Sequence, residues 1–230
     1  MSGTSDPAWL LAIDTATATI VVAAGTKDGR LLASKVFEGR YRHSQELLPA
    51  VVALIEEAGL RLADLAAVVV GTGPGAFTGL RVGIATAKTL AHELCRPVIG
   101  IASSDALLAA AEAGAVLWLP SGPRERLSVT VGQAPTVVPG TGAPSESEAE
   151  PGFTNAVAVD LEGRAPEAAL EGGRAAVAAL PASLLRLGAA RLAAGDVDDP
   201  ERLVPRYASA PRGAADGQAD GNVAWSRDPR

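Results

Sequence analysis

Cysteine is nearly missing from this 230-residue chain: Cys95 is the only one. That excludes an internal disulfide and a cysteine-built metal cluster. Histidine is almost as scarce. His43 and His92 lie too far apart for a helical metal-binding pair, so no metal site is expected. Aromatic residues make up 3% of the chain, so alanine, valine and leucine must supply the core. Positive charge is in deficit, with a formal net charge of −6, which argues against autonomous binding to nucleic acid. No basic leader precedes an apolar run and no stretch approaches eighteen consecutive apolar residues, so a soluble cytoplasmic protein with no membrane partner is the expectation. Neither a Gly-Lys-Ser/Thr phosphate loop nor a G-x-S-x-G elbow around Ser103 or Ser104 is present.

What the chain does have is a strand–loop–helix unit at 68–94, VVVGTGPGAFTGLRVGIATAKTLAHEL. Val68, Val69 and Val70 read as a buried strand. Gly71, Gly73, Pro74 and Gly75 break the periodicity, Thr78 is an expected N-cap, and Gly79 opens a helix. Leu80, Ile84, Ala87, Ala91 and Leu94 share one helical face, and Leu90 adds to its width. Val82, Ala85 and Thr86 leave little of the other face polar, so the helix wants neighbours on two sides. GTGPGA fits a dinucleotide fingerprint only loosely, because Pro74 occupies a turn position and no second strand carries the acidic residue. Two readings of the loop stay open: an anion held at the helix N-terminus, or a tight turn that lets a helix pack closely on a sheet.

Around this unit the chain reads in order. Residues 1–8 form a loose tail. Residues 9–13, 19–24 and 31–37 are strands in an antiparallel meander, with Asp28-Gly29 as a hairpin turn. Residues 44–58 form a helix capped by Ser44 and ended by Gly59, with Leu47, Leu48, Val51, Val52, Leu54 and Ile55 on a wide apolar face and Pro49 as an awkward interior residue. A strand follows at 97–101. This β-β-β-α-β-α-β order implies a five-stranded mixed sheet with helices. Beyond it lie a helix from Ser104 to Glu112, strands at 116–119, 127–131 and 156–159, an exposed Pro/Gly/Ser/Glu-rich loop at 133–152, helices at 166–180 and 182–194, a closing segment PERLVPRYASAP, and a polar tail at 211–230.

LAIDTATATIVVAA (11–24), HSQELLP (43–49), GTGPGAFTGLRVGIATAKTLA (71–91) and LVPRYASAP (203–211) together resemble the TsaB family, subunits of the bacterial tRNA threonylcarbamoyladenosine machinery. The resemblance is dense over 9–105 and thin over 115–200, where the Asp-Ala-Arg-Arg motif common in the second lobe is replaced by WLPSGPRERLSV. It implies an α/β, actin-like (ribonuclease H-like) fold of two lobes, each a mixed five-stranded sheet with helices: a first lobe at 9–103 and a degenerate second lobe at 104–210. It also implies a non-catalytic subunit that binds TsaD, works with TsaE, and meets tRNA only through the complex that transfers threonylcarbamoyl to adenosine beside the anticodon. The implied docking surface is the first lobe's helix pair: Leu47, Leu48, Val51, Val52, Leu54, Ile55, Leu80, Ile84, Ala87, Leu90 and Ala91. A homodimer is expected when the chain is alone.

Nucleotide-binding members of the fold carry aspartate, then glycine, in the first hairpin. Here the stretch is Asp14-Thr15-Ala16-Thr17, so a degenerate phosphate site is expected from Asp14, Thr15, Gly73, Pro74, Gly75, Thr78, Gly79 and Arg81. No cofactor is expected on the isolated chain, with ATP or ADP confined to a partner junction. Asp14 is read as a turn residue accepting backbone hydrogen bonds, and His43 as packing rather than a metal ligand. Arg81 either pairs with a carboxylate such as Asp14 or sits at the partner interface. Arg40, Tyr41 and Arg42 form a small basic-aromatic cluster. Asp160-Leu161-Glu162-Gly163 and Gly172-Gly173-Arg174-Ala175 match the second-lobe nucleotide loops poorly. The rival readings are an ATPase or small-molecule kinase of the same fold, and a glycoprotease-like peptidase.

Overall fold

The computed structural model describes residues 9–39, 42–122, 124–139 and 155–208. The expected tails, Arg40 and Tyr41, and most of the expected loop lie outside them. The first lobe opens with β1 (Trp9–Asp14), β2 (Thr19–Thr26) and β3 (Leu31–Glu38), followed by α1 (His43–Glu57), β4 (Leu65–Gly71), α2 (Phe77–Glu93) and β5 (Val98–Ile101). Its sheet has the order β3-β2-β1-β4-β5, antiparallel through the meander and parallel from β1 to β5. Every residue of β1 and β4 is buried, as befits central strands covered on both faces. The hairpin turn is where Asp28-Gly29 put it, with Gly29 at φ +89° and its N–H bonded to the Thr26 carbonyl.

Alternation along the strands sends two sets of side chains to opposite faces. Leu11, Ile13, Ile20, Val22, Val68 and Val70 pack under α1 and α2. Leu10, Ala12, Val21, Ala23, Val69 and Ile99 face the other way, into a core shared with the second lobe. That lobe holds α3 (Ser103–Leu108), β6 (Val116–Pro120), β7 (Glu125–Val129), β8 (Thr136–Pro139), β9 (Ala156–Ala158) and α4 (Glu167–Ala193). Its sheet, in the order β8-β7-β6-β9, has four strands among the described residues, not the expected five.

α4 joins the lobes. The 166–180 and 182–194 segments form one 27-residue helix with Pro181 inside it, so the proline costs a hydrogen bond without ending the helix. Its length and composition would suffice to cross a membrane, yet Leu180, Leu184, Leu185 and Ala189 lie in the shared core. Two glycines let it pack tightly: a side chain at Gly173 would overlap the Ala158 carbonyl, and one at Gly188 would overlap Val69.

Several local expectations change. Ser44 and Thr78 are not caps; α1 and α2 begin after Arg42 and Ala76, without side-chain caps. Pro49 sits inside α1. The helix near Ser104 is only six residues long and starts at Ser103. Residues 136–139, expected within a loop, pair with β7 as β8, where β-branched Val137 and Val138 stand opposite Leu127 and Arg126. Gly59 (φ +62°) does end α1: its N–H bonds to Glu56 and that of Leu60 to Ile55, closing a left-handed cap.

Gly188→Ala should lower stability by about 1–3 kcal/mol in denaturant unfolding, because the new methyl group is driven into Val69. Arg186→Ala, on an exposed position of the same helix, should change it by less than about 0.5 kcal/mol.

Candidate functional site

The parallel strands β1, β4 and β5 end together, with Ile13 beside Val70 and Gly71 beside Ile101. That register gathers Asp14, the glycine loop and Ser103 at one point. Asp14 is fully buried. Its Oδ1 accepts the Ala16 N–H at 2.9 Å, the expected turn bond. Its Oδ2 accepts the Ser103 hydroxyl at 2.6 Å. Ser103 Oγ in turn accepts the Gly73 N–H at 3.0 Å, and its own N–H bonds to the Gly73 carbonyl. Burial raises the Asp14 pKa above the ordinary carboxylate range, against the lowering effects of Ser103, Ala16 and the His43 charge.

The glycines of the loop are taken up by the chain's own hairpin. A side chain at Gly75 would overlap the Ala16 carbonyl, one at Gly79 the Thr15 carbonyl, one at Gly83 the Thr15 hydroxyl, and one at Gly71 the Asp14 carboxylate. Gly73, at φ +99°, needs its glycine for conformation as well. The Ala76 N–H, at the start of α2, donates to the Ala16 carbonyl at 2.7 Å, and Thr15 Oγ1 donates to the Gly79 carbonyl at 2.8 Å. Of the two open readings of the loop, this geometry favours the close-packing turn. Pro74 is buried behind it and Thr78 is exposed.

Arg81 does not meet Asp14. Its guanidinium lies 4.0 Å from the centroid of the Phe77 ring, and its Nε donates to the Tyr207 hydroxyl at 3.1 Å. Phe77 and Tyr207 stack with centroids 5.0 Å apart. Tyr207 arrives on a C-terminal strap anchored by Asp198, which accepts the Gly100 N–H at 2.7 Å, and by the Arg206 N–H on the Thr72 carbonyl. His43 is buried, with Nε2 3.1 Å from the Thr17 carbonyl, which agrees with a packing role. Arg42 pairs with Glu46 at 2.9 Å. Between the lobes a cleft of about 490 Å³ is bounded by His43, Ser44, Phe77, Thr78, Asp160 and Arg164. Asp160, at φ +57°, bridges it by accepting the Ala18 N–H at 2.6 Å. Gly173 is spent on helix packing, not on an adenosine loop.

The expected docking residues divide. Leu47, Val51, Leu54, Ile84, Ala87 and Ala91 are buried against the chain's own sheet, and Leu80 is buried beside Gly73, so they are core and not surface. The strongest apolar periodicity marks the face that the sheet needs most. Ile55 and Leu90 are partly buried, while Leu48 and Val52, half-exposed at 50% and 48%, point away from the sheet. The sequence shows Ser103 only as a rejected nucleophile and Tyr207 only within LVPRYASAP, not their contacts with Asp14 and Arg81. The parallel order of β1, β4 and β5 was the signal for Ser103; nothing local to Tyr207 pointed to α2.

Comparison with known proteins fits this arrangement. A family model described as TsaD, tRNA N6-adenosine threonylcarbamoyltransferase, matches residues 37–141. An uncharacterised protein of Mycobacterium leprae is 46% identical over 101 residues, covering 43% of this chain and 28% of that protein. The tRNA threonylcarbamoyladenosine biosynthesis protein TsaB of Bacillus subtilis is 36% identical over 100 residues, covering 44% of this chain and 43% of that protein. The solved structure of YeaZ from Pseudomonas aeruginosa superposes with a TM-score of 0.61 at 24% identity, covering 87% of this chain and 99% of that one. Over less than half its length the chain is similar to TsaB proteins. Its two-lobe fold is actin-like. The matched stretch spans less than half the length of the curated relatives. TsaB likeness by sequence and likeness by fold thus differ in reach: the fold extends over most of the chain, the sequence match over less than half.

Asp14→Asn tests the buried carboxylate. A raised folded-state pKa means that Asp14 favours the fold in its protonated form. That contribution is full below about pH 3.9, the unfolded value, and is lost as pH rises through the folded value. The stability of wild type relative to the variant should therefore fall with rising pH across that window, as read by urea unfolding at a series of pH values. A difference independent of pH would place the carboxylate in an environment no harsher than water.

Proposed function

We propose that this chain is a non-catalytic docking subunit that binds a TsaD-type enzyme and supports threonylcarbamoyl transfer to the adenosine beside the anticodon of tRNA. The observation that carries the reading is how the glycine loop is used. Close backbone approach at Gly71, Gly75, Gly79 and Gly83 serves the chain's own hairpin, so the loop is a rigid brace for α2. That brace holds a two-helix layer whose outer side leaves Leu48 and Val52 in water. A standard interface of roughly 1,600 Å² needs a few such anchors at its centre. Net charge of −6 fits a subunit that meets tRNA within a complex and not alone. TsaE belongs to the same proposed assembly in the cytoplasm, and in isolation the same helix layer would serve a homodimer.

A second element of the proposal concerns nucleotide. The uncapped N-termini of α1 and α2 both open on the inter-lobe cleft, and helix N-termini favour anions. ATP or ADP fits that cleft better than the glycine loop, and a partner docked beside it would close the site. A peptidase reading gains nothing from Ser103, whose hydroxyl donates to a buried carboxylate and accepts a backbone N–H without a histidine base beside it.

Leu48→Asp and Val52→Asp should each weaken binding to a TsaD-type partner by about 1–3 kcal/mol, roughly tenfold or more in Kd, with an unchanged circular dichroism spectrum. Val51→Asp should instead unfold the chain, because it puts a charge into the core. Wild-type affinity in both surface variants would remove the proposed face.

A further inference from the structure

We propose that Arg81 is a preorganised receptor for a carboxylate of the partner subunit, held ready by Phe77 and Tyr207. This inference rests on the docking reading above. Three observations carry it. The guanidinium is fixed twice, by the Phe77 ring 4.0 Å from its carbon and by the Nε bond to Tyr207. Its Nη pair is unspent: no carboxylate or carbonyl among the described residues bonds to it. By contrast Lys35, Arg42, Arg61, Arg174, Arg191 and Arg202 each face a carboxylate within 4 Å. Arg81 also lies in the right place. It is exposed in the first turns of α2, and the i+4 and i+8 positions, Ala85 and Thr89, continue the same outward stripe. Those residues are small, so a partner helix can approach closely.

The chemistry follows from the geometry. An arginine normally loses much side-chain freedom when it pairs, and that cost weakens exposed ion pairs. Here the stack and the tyrosine hydroxyl have already imposed the order, so a bidentate contact forms with less to lose. The planar fork matches a carboxylate through two parallel N–H donors. A polyanion such as RNA fits less well. Lys88 spends its ammonium on the Leu203 carbonyl, and the chain as a whole is acidic, which disfavours a polyanion. Phe77 and Tyr207 therefore serve as positioning residues, and the C-terminal strap contributes to docking through the tyrosine it delivers.

The test is calorimetric titration of the full-length chain against a full-length TsaD-type partner at two salt concentrations. Arg81→Gln and Arg81→Lys should each weaken Kd by about tenfold, since lysine keeps the charge but loses the fork. Tyr207→Phe, which keeps the stack and loses the hydroxyl, should weaken it by about threefold. All three should melt at the wild-type temperature, and Arg81→Gln should flatten the salt dependence. Wild-type affinity in either Arg81 variant overturns the proposal while leaving the docking reading intact. Absence of binding by the wild-type chain defeats the docking reading and this inference with it. A loss confined to tRNA binding by the assembled complex, with subunit affinity unchanged, assigns the guanidinium to a phosphate and also overturns it.

Discussion

The Ala16 carbonyl fills the space that a side chain at Gly75 would need, and it accepts the first N–H at the start of α2. The architecture of the first lobe depends on this contact and its neighbours. The hairpin and the N-terminus of α2 touch directly. Asp14 fixes the hairpin turn from inside, Ser103 ties that carboxylate to Gly73, and Thr15 reaches across to the Gly79 carbonyl. The donors and acceptors of a would-be ligand site are spent on one another. Each bond is modest on its own, about 0.5–1.5 kcal/mol net. Their effect is to fix the angle at which α2 leaves the sheet.

That angle sets which face of the helix pair is turned outward. α1 and α2 bury one stripe each beneath themselves and leave another in water. The helical period of the apolar residues in 44–58 and 79–94 was legible in the sequence, and both helices formed. The period could not tell which partner the stripe meets. Val51 on α1 and Ile84 on α2 each lie on their helix's strongest face and go into the chain's own core, whereas Leu48 and Val52 sit one step around α1 and remain exposed. A helix apolar over most of its circumference has two candidate interfaces, and its own sheet claims the better one.

The first lobe is legible almost whole in the sequence because its strands are short apolar runs separated by strong turn signals such as Asp28-Gly29. The second lobe was read in pieces. Pro181 looked like a break, yet α4 runs through it, because packing against two sheets outweighs one lost hydrogen bond. Residues 136–139 looked like loop in a Pro/Gly/Ser-rich context but pair with β7 at the sheet edge. Around the site, the sequence carried Asp14 and the glycines as a group. It did not carry Ser103 or Tyr207, which arrive from 89 and 126 residues away, relative to Asp14 and Arg81, through the crossover and the strap.

The account holds that this chain supports chemistry performed elsewhere in an assembly. The most direct measurement is threonylcarbamoylation of tRNA in a reconstituted reaction containing a TsaD-type enzyme, TsaE, tRNA and threonylcarbamoyl-adenylate, with this chain present, omitted, or supplied without the enzyme. The account predicts product when chain and enzyme are together, a severe loss when the chain is omitted, and none from the chain without the enzyme. Product formed at the same rate without the chain, or by the chain without the enzyme, would contradict it.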